Sequence, residues 1–309
     1  MTRGVCQELA AGVNGQEEPP SPPFHMHLWG LARPRPSPWH SGRGSRVGQR
    51  FSRRAFANYF LPEISRRPTI AWIAPGTREV GASFIQSFLR GMLEFGHVEG
   101  RSFDMVYRFA DGYQERLPAL TEEVVRLKPD VILASAVAAT VAARKATSTI
   151  PIVTPALADA VHLGLIGSEA RPGGNVTGIE PYIAGLPAKQ IEFAREIVPG
   201  ASTIGLLTNL KDPKAPPQAQ ELQASARTAN LKTVSADANE PDHIEGALRT
   251  LSDERADAVI VLQTSMLLTY SRQIAALALE KRLPTVHGYR EHVVAGGLIS
   301  YGVDLRWCF

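Results

Sequence analysis

Cysteine is nearly absent from this 309-residue chain, which has only Cys6 and Cys308. Both lie outside the stretch whose pattern predicts folding, so neither a disulfide framework nor a Cys-based zinc site is expected. Long apolar runs are missing too, and no segment approaches the roughly 18 consecutive apolar residues of a membrane-spanning helix. The phosphate-cradling spacings Gly-x-x-x-x-Gly-Lys-Ser/Thr and Gly-x-Gly-x-x-Gly do not occur between a strand pattern and a helix pattern. The segment from Pro75 to Gly81 occupies the right place without the right spacing, while Arg171-Pro172-Gly173-Gly174-Asn175 precedes a strand and reads as a turn. No Gly-x-Ser-x-Gly elbow marks a hydrolase. His287 and His292, with Glu291 between them, are five apart and do not share a helical face as a zinc pair would. No catalytic residue, no metal and no cofactor is expected from these patterns.

Charge of one sign is also scarce once the chain is divided. Residues 1–66 hold nine Arg against four Glu, which leaves 24 basic and 26 acidic side chains for residues 67–309. A body so close to neutral has no basic face for nucleic acid. Residues 1–66 also contain eight Pro, in clusters such as Pro19-Pro20-Ser21-Pro22-Pro23, and show no sustained period of 2 or 3.6. This stretch is expected to be mostly irregular, and His25-x-His27 within it lacks the acidic or thiol partners of a defined metal site. Ser52-Arg53-Arg54-Ala55-Phe56 is twin-Arg-like, yet Asn58, Pro62 and Glu63 interrupt the apolar run that an export signal needs. An upstream-extended start accounts for the tail better than a signal peptide does.

From Thr69 the sequence becomes regular. An apolar, β-capable run, Thr69–Ala74, ends at Pro75-Gly76, and Phe84, Ile85, Phe88, Leu89, Met92 and Leu93 follow at helical spacing. Strands are expected at Phe103–Arg108, Val131–Ala134, Ile150–Thr154, Thr203–Thr208, Lys232–Ala236, Ala258–Leu262 and Pro284–His287. Helices are expected at Glu115–Leu127, Val137–Ala146, Leu186–Ile197, Ala215–Ala229, Asp242–Leu251 and Leu267–Glu280. Two echoes indicate a duplicated plan: Pro129-Asp130-Val131-Ile132 against Ala256-Asp257-Ala258-Val259, and Ile150-Pro151-Ile152-Val153 against Leu283-Pro284-Thr285-Val286. Unbroken apolar runs such as Val259–Leu262 suit parallel strands covered on both faces. The fold class is therefore α/β, with two doubly wound parallel-sheet lobes and a ligand cleft between their carboxyl edges. Residues at those strand ends are the candidate ligand contacts: Gly76, Thr77, Ser135, Ala136, Ala156, Gln263, Thr264, Tyr289 and Glu291.

Six segments then carry a family resemblance. They are His97–Arg101, Tyr107–Gly112, Arg116–Leu120, Ala146–Val153, Arg171–Gly178 and Gly296–Gly302. In this order the chain resembles the ABC transporter substrate-binding family related to tryptophan-binding lipoprotein-like proteins, over about three quarters of its length. The resemblance implies a type I periplasmic-binding-protein fold that closes about hinge crossings on an amino acid or an aromatic or organic acid. It further implies delivery to a permease and its ATPase, a periplasmic location, no enzymatic activity and a monomer when fully folded. Thr177-Gly178 looks like the first crossing and Ser300-Tyr301-Gly302 like the second, so Tyr301 joins the candidate contacts.

Two departures qualify the match. Pro155-Ala156-Leu157-Ala158-Asp159-Ala160 stands where the family has a Gly-Gly-Asp-Pro-like turn, and Asp159 is the acidic candidate there. The chain also stops at Phe309, where the family continues with a long helix, so a truncated copy with an uncovered apolar face on the first lobe is expected. The expected organisation is a tail at 1–67, lobes at 68–180 and 181–300, and an incomplete crossing at 301–309. The alternative from another class is a two-lobed enzyme such as a sugar-nucleotide transferase. A helix-turn-helix regulator is excluded by the Pro-rich tail.

Overall fold

The computed structural model describes residues 66–183 and 185–309, together with the backbone of residues 25–28. Eleven strands and nine α-helices lie within these residues. In the first half they are β1 (His25–Leu28), β2 (Thr69–Ala74), α1 (Arg78–Glu94), β3 (Asp104–Phe109), α2 (Leu117–Arg126), β4 (Val131–Ala134), α3 (Val137–Ala146), β5 (Ile152–Thr154) and β6 (Val176–Tyr182). The second half runs α4 (Leu186–Ile197), β7 (Thr203–Thr208), α5 (Ala215–Thr228), β8 (Lys232–Asp237), α6 (Ile244–Asp253), β9 (Ala258–Val261), α7 (Ser265–Thr269), α8 (Ser271–Glu280), β10 (Thr285–His287), α9 (Arg290–Val294) and β11 (Ile299–Ser300).

Two sheets result. The first has the order β1-β6-β5-β4-β2-β3 and the second β11-β10-β9-β7-β8. Every pairing is parallel except that of β1, which runs antiparallel along β6 with His25 opposite Tyr182. In both sheets the chain steps from the first strand of the lobe outward and then back across it, the order of a doubly wound sheet. The central strands are buried on both faces: Trp72 and Ile73 on β2, and the whole of β9, are at most 1% exposed. That burial is why these strands read as unbroken apolar runs instead of alternating ones.

The echoes seen in the sequence are one device used twice. Asp130 takes the Thr69 backbone N–H at 2.7 Å and thereby caps the start of β2. Asp257 does the same for β7, taking the N–H groups of Ser202 and Thr203 at 2.8 and 2.9 Å. The two prolines match as well, because the Pro151 carbonyl accepts from Ile132 N–H and the Pro284 carbonyl from Val259 N–H. Proline has no N–H to give the ladder, so its carbonyl supplies the hydrogen bond at the start of the strand.

Several expectations need correction. The helix expected at Leu267–Glu280 starts at Ser265 and breaks at Tyr270 into α7 and α8. The helices expected from Glu115 and Asp242 each open with a 3₁₀ turn, Gln114–Arg116 and Pro241–His243. Residues 25–28 form a strand within a stretch expected to be mostly irregular, while the remainder of that stretch to residue 65 and the side chains of His25 and His27 lie outside the described residues. Arg66 and Arg67, assigned to the tail, instead pair with Asp130 and Asp104 at the edge of the first sheet. Thr177 and Gly178 lie within β6, in register with Val153 and Thr154, so the chain leaves the first sheet only after Tyr182. Cys308 is not outside the folded part: it is buried in a 3₁₀ turn, Leu305–Cys308, and burial pushes its thiol up to about 11.

The apolar face of the first lobe is not left bare either. The chain returns to it after β11, where Leu305 packs beside Trp72, Phe84 and Ile85. The Phe309 ring stacks at 5.3 Å on Trp72 and 5.1 Å on Phe84. Leu93 and Phe95, at the end of α1, remain exposed.

Candidate ligand-binding cleft

Three loops from the first sheet and three from the second meet between the lobes. From the first come Gly76 and Thr77 after β2 and Ser135 and Ala136 after β4, with Ala156 beyond β5. From the second come Asp212 and Lys214 after β7, Gln263 and Ser265 after β9, and Tyr289 after β10. All follow the carboxyl ends of parallel strands, and all but Ala156 stand where the backbone turns into a helix whose first N–H groups lack intrahelical partners. Thr77 caps α1, its hydroxyl accepting from Val80 N–H at 3.3 Å. Ala136 offers α3 no side-chain cap, so the first-turn N–H groups of that helix stay available to an anion.

Apolar side chains form part of the wall. Val80, Phe84, Leu268, Leu305 and Phe309 belong to it, and the enclosed space measures about 70 Å³. The lobes touch at the rim: the Tyr270 hydroxyl donates to the Asp111 carbonyl at 3.1 Å, and the Gln114 amide donates to the Asp212 carboxylate at 3.3 Å. Two glycines permit this approach. A β-carbon on Gly112, which has φ +89°, would stand 2.6 Å from the Tyr270 ring, and one on Gly76 would stand 2.7 Å from the Thr269 hydroxyl.

Charge in the cleft comes from Asp212 and Lys214. Asp212 is buried, and burial pushes its carboxyl up, opposed by the Lys214 backbone N–H at 3.0 Å and by the Lys214 ammonium. Lys214 is half-buried and donates to the Tyr289 hydroxyl at 2.9 Å. Burial works against its charge, but Tyr289 and then Asp212 outweigh that and hold the ammonium above its ordinary value. Gln263 is fixed from two sides. Its backbone N–H donates to the Gln218 side chain at 2.6 Å, and its amide donates to the Gly288 carbonyl at 3.0 Å.

Behind Tyr289 lie the two histidines. Their rings stack at 4.6 Å, fully buried, and His287 also meets the Thr285 hydroxyl at 2.9 Å. Burial holds His292 down to about 4, and burial together with its neighbour holds His287 down to about 2, so both are neutral imidazoles at neutral pH. Among the described residues no three His, Cys, Asp or Glu side chains gather as metal ligands would.

Of the residues singled out from the sequence, Gly76, Thr77, Ser135, Ala136, Ala156, Gln263 and Tyr289 line this cleft. Asp159, Thr264, Glu291 and Tyr301 do not. Thr264 caps α7, and Asp159 sits in a left-handed turn whose N–H donates to Glu180. Glu291 lies in the first turn of α9, where burial raises its carboxyl. Tyr301 packs on Phe193 of α4, its carbonyl accepting from Gln190. The sequence reading passed over Asp212, Lys214 and the apolar part of the wall. A usable signal was present, since the loop after Thr203–Thr208 obeys the same strand-end rule that selected the others.

Two parallel-sheet lobes facing each other across a cleft, with the chain passing between them more than once, define a binding protein of the type I periplasmic class. Comparison with known proteins agrees. The ABC transporter substrate binding protein family matches residues 82–306. Two crystal structures, a conserved domain protein from Vibrio cholerae and the ABC domain in complex with L-Trp from Streptococcus pneumonia, superpose with TM-scores of 0.71 at 22% and 19% identity. Each covers 79% of this chain and 81% of the other. A tyrosine-binding protein of Clostridioides difficile is 24% identical over 71% of this chain, which spans 63% of that relative's length. The chain belongs to the ABC transporter substrate-binding protein family.

Proposed function

We propose that this protein is the solute receptor of an ABC-type importer. It binds an amino acid or an aromatic or organic acid between its lobes and hands it unchanged to a permease driven by an ATPase. The observation that carries this reading is the convergence of strand-end loops from both sheets on one cleft lined by apolar side chains and by Asp212 and Lys214. Such a cleft changes shape when the lobes rotate, so ligand binding and closure are coupled. The enclosed 70 Å³ is under half of the roughly 150 Å³ in which an apolar cavity accepts benzene. A ring-sized solute therefore enters with the lobes further apart than they are here. The relatives that bind tryptophan and tyrosine support an amino acid or aromatic ligand, and the family's usual place outside the cytoplasmic membrane supports export.

The test is a thermal melt of the purified chain with amino acids, aromatic and aliphatic acids, and nucleotides. A ligand that binds only the folded state raises the midpoint, by an amount set by its concentration over Kd. An upward shift with an amino acid or an acid is expected. A shift with nucleotides alone would transfer the protein to the class of two-lobed enzymes.

A further inference from the structure

Lys214 carries this inference, which rests on the cleft being the solute site. A lysine ammonium has three N–H donors. One meets the Tyr289 hydroxyl at 2.9 Å, and among the described residues no carboxylate forms an ion pair with Lys214. Removing an ammonium from water is costly unless a counter-charge and further acceptors replace the water. Asp212, the nearby carboxylate, is already engaged by the Lys214 backbone N–H and by the Gln114 amide from the other lobe. It is buried to 3% exposure and shapes its own turn, so its capacity for a ligand's ammonium group is largely used. Among the described residues Lys214 and Asp212 are the only charged side chains lining the cleft, and of the two Lys214 has donors beyond the one that meets Tyr289.

Much of the remaining lining is apolar, with Phe84, Val80, Leu268 and Phe309, and Tyr289 packs in the same cluster as Phe84 and Leu268. The cleft thus presents a cation with a phenol hydroxyl beside it, among hydrocarbon. A zwitterionic amino acid would set its own ammonium within this small space and would need a free acidic partner there. We infer that the preferred solute is a simple carboxylate with a compact apolar tail, its carboxylate bound by the Lys214 ammonium, which the Tyr289 hydroxyl holds in place. Such a ligand would give the Lys214 ammonium further acceptors beside the Tyr289 hydroxyl.

The experiment is calorimetric titration of the full chain with isovalerate and benzoate, with their primary amides, and with L-valine and L-phenylalanine. The expected result is binding of a carboxylate at least tenfold tighter than its amide and than the amino acid of matching tail. Lys214→Met is expected to abolish that preference. Lys214→Arg and Tyr289→Phe are expected to retain part of it, and a melt of each variant verifies folding. An amino acid that binds tighter than the matching acid, with affinity unchanged in a folded Lys214→Met, overturns this inference and leaves the solute-receptor reading standing. Failure of every acid and amino acid to bind the wild-type chain overturns both.

Discussion

The two lobes share a plan but not a way of burying it. Among the described residues the second lobe gathers 28 buried apolar side chains in one continuous cluster around β7, β9 and β10. The first lobe divides its own. One cluster of 16 lies under α2 and α3, and a separate one of eight brings Trp72, Phe84 and Leu133 against Leu268, Tyr289 and Leu305. The second lobe is thus complete in itself, whereas one face of the first borrows its cover from the neighbouring lobe and from the returning chain. Parting the lobes would therefore uncover apolar surface mainly on the first.

Five measurements break or sharpen this comparison. The largest effect is expected from Leu206→Ala in the second-lobe core. Deleting a fully buried leucine from a strand covered on both sides costs about 2–5 kcal/mol. The whole second lobe should unfold earlier in a denaturant titration, with ligand preference unchanged. Phe84→Ala, by contrast, sits in the shared cluster and is expected to expand the molecule in solution scattering before it unfolds. Equal and purely thermal effects from both would remove the distinction.

Acid acts on the second lobe through its histidine pair. His292 ionises near 6.5 when unfolded but only at about 4 when folded, so between those values the unfolded chain binds more protons. Stability contributed by keeping this ring neutral is present above pH 6.5 and is lost as pH falls toward 4. At about 1.4 kcal/mol per pKa unit, the loss is roughly 3 kcal/mol. Melting midpoints measured across that window should fall steeply in the wild type and less in His292→Phe, and identical slopes would remove the histidine from the account.

Smaller effects come from the paired aspartates. Asp257 takes two backbone N–H groups and the Ser202 hydroxyl, whereas Asp130 takes one backbone N–H and a partly exposed Arg66. Asp257→Ala is expected to destabilise by about 1–2 kcal/mol and Asp130→Ala by less, since the exposed ion pair adds little. The reverse order would show that the duplicated caps are not equivalent in the way their hydrogen bonds indicate. The smallest change is Tyr270→Phe, which removes one hydrogen bond between the lobes, worth about 1 kcal/mol. It should alter ligand affinity through closure while leaving the melting midpoint nearly in place.

Much of the fold could be read in advance because its strands are buried on both faces. Runs such as Val131–Ala134 and Thr203–Thr208 stand out as apolar blocks, and α3 and α4 follow with the spacing of covered helices. Boundaries slipped where local geometry changed without a change of composition. Tyr270 breaks a continuous apolar pattern because its ring turns to the Asp111–Gly112 loop of the other lobe. The cleft was legible only in part. Strand-end small residues were found by rule, while Asp212 and Lys214, in a loop of charges and proline, resembled an ordinary solvated turn.

What the sequence alone determined, then, is the alternation of strand and helix, the duplication marked by Asp130 and Asp257, and the edge of each sheet whose loops line the cleft. These depend on local periodicity and on hydrogen bonds that each strand start requires. Only the tertiary structure decided which loops confront each other, that the ring of Phe309 lies on Trp72, and that Lys214 stands beside Tyr289, 75 residues away. Those are contacts between distant segments, set by how the two lobes pack together, and no local pattern encodes that arrangement.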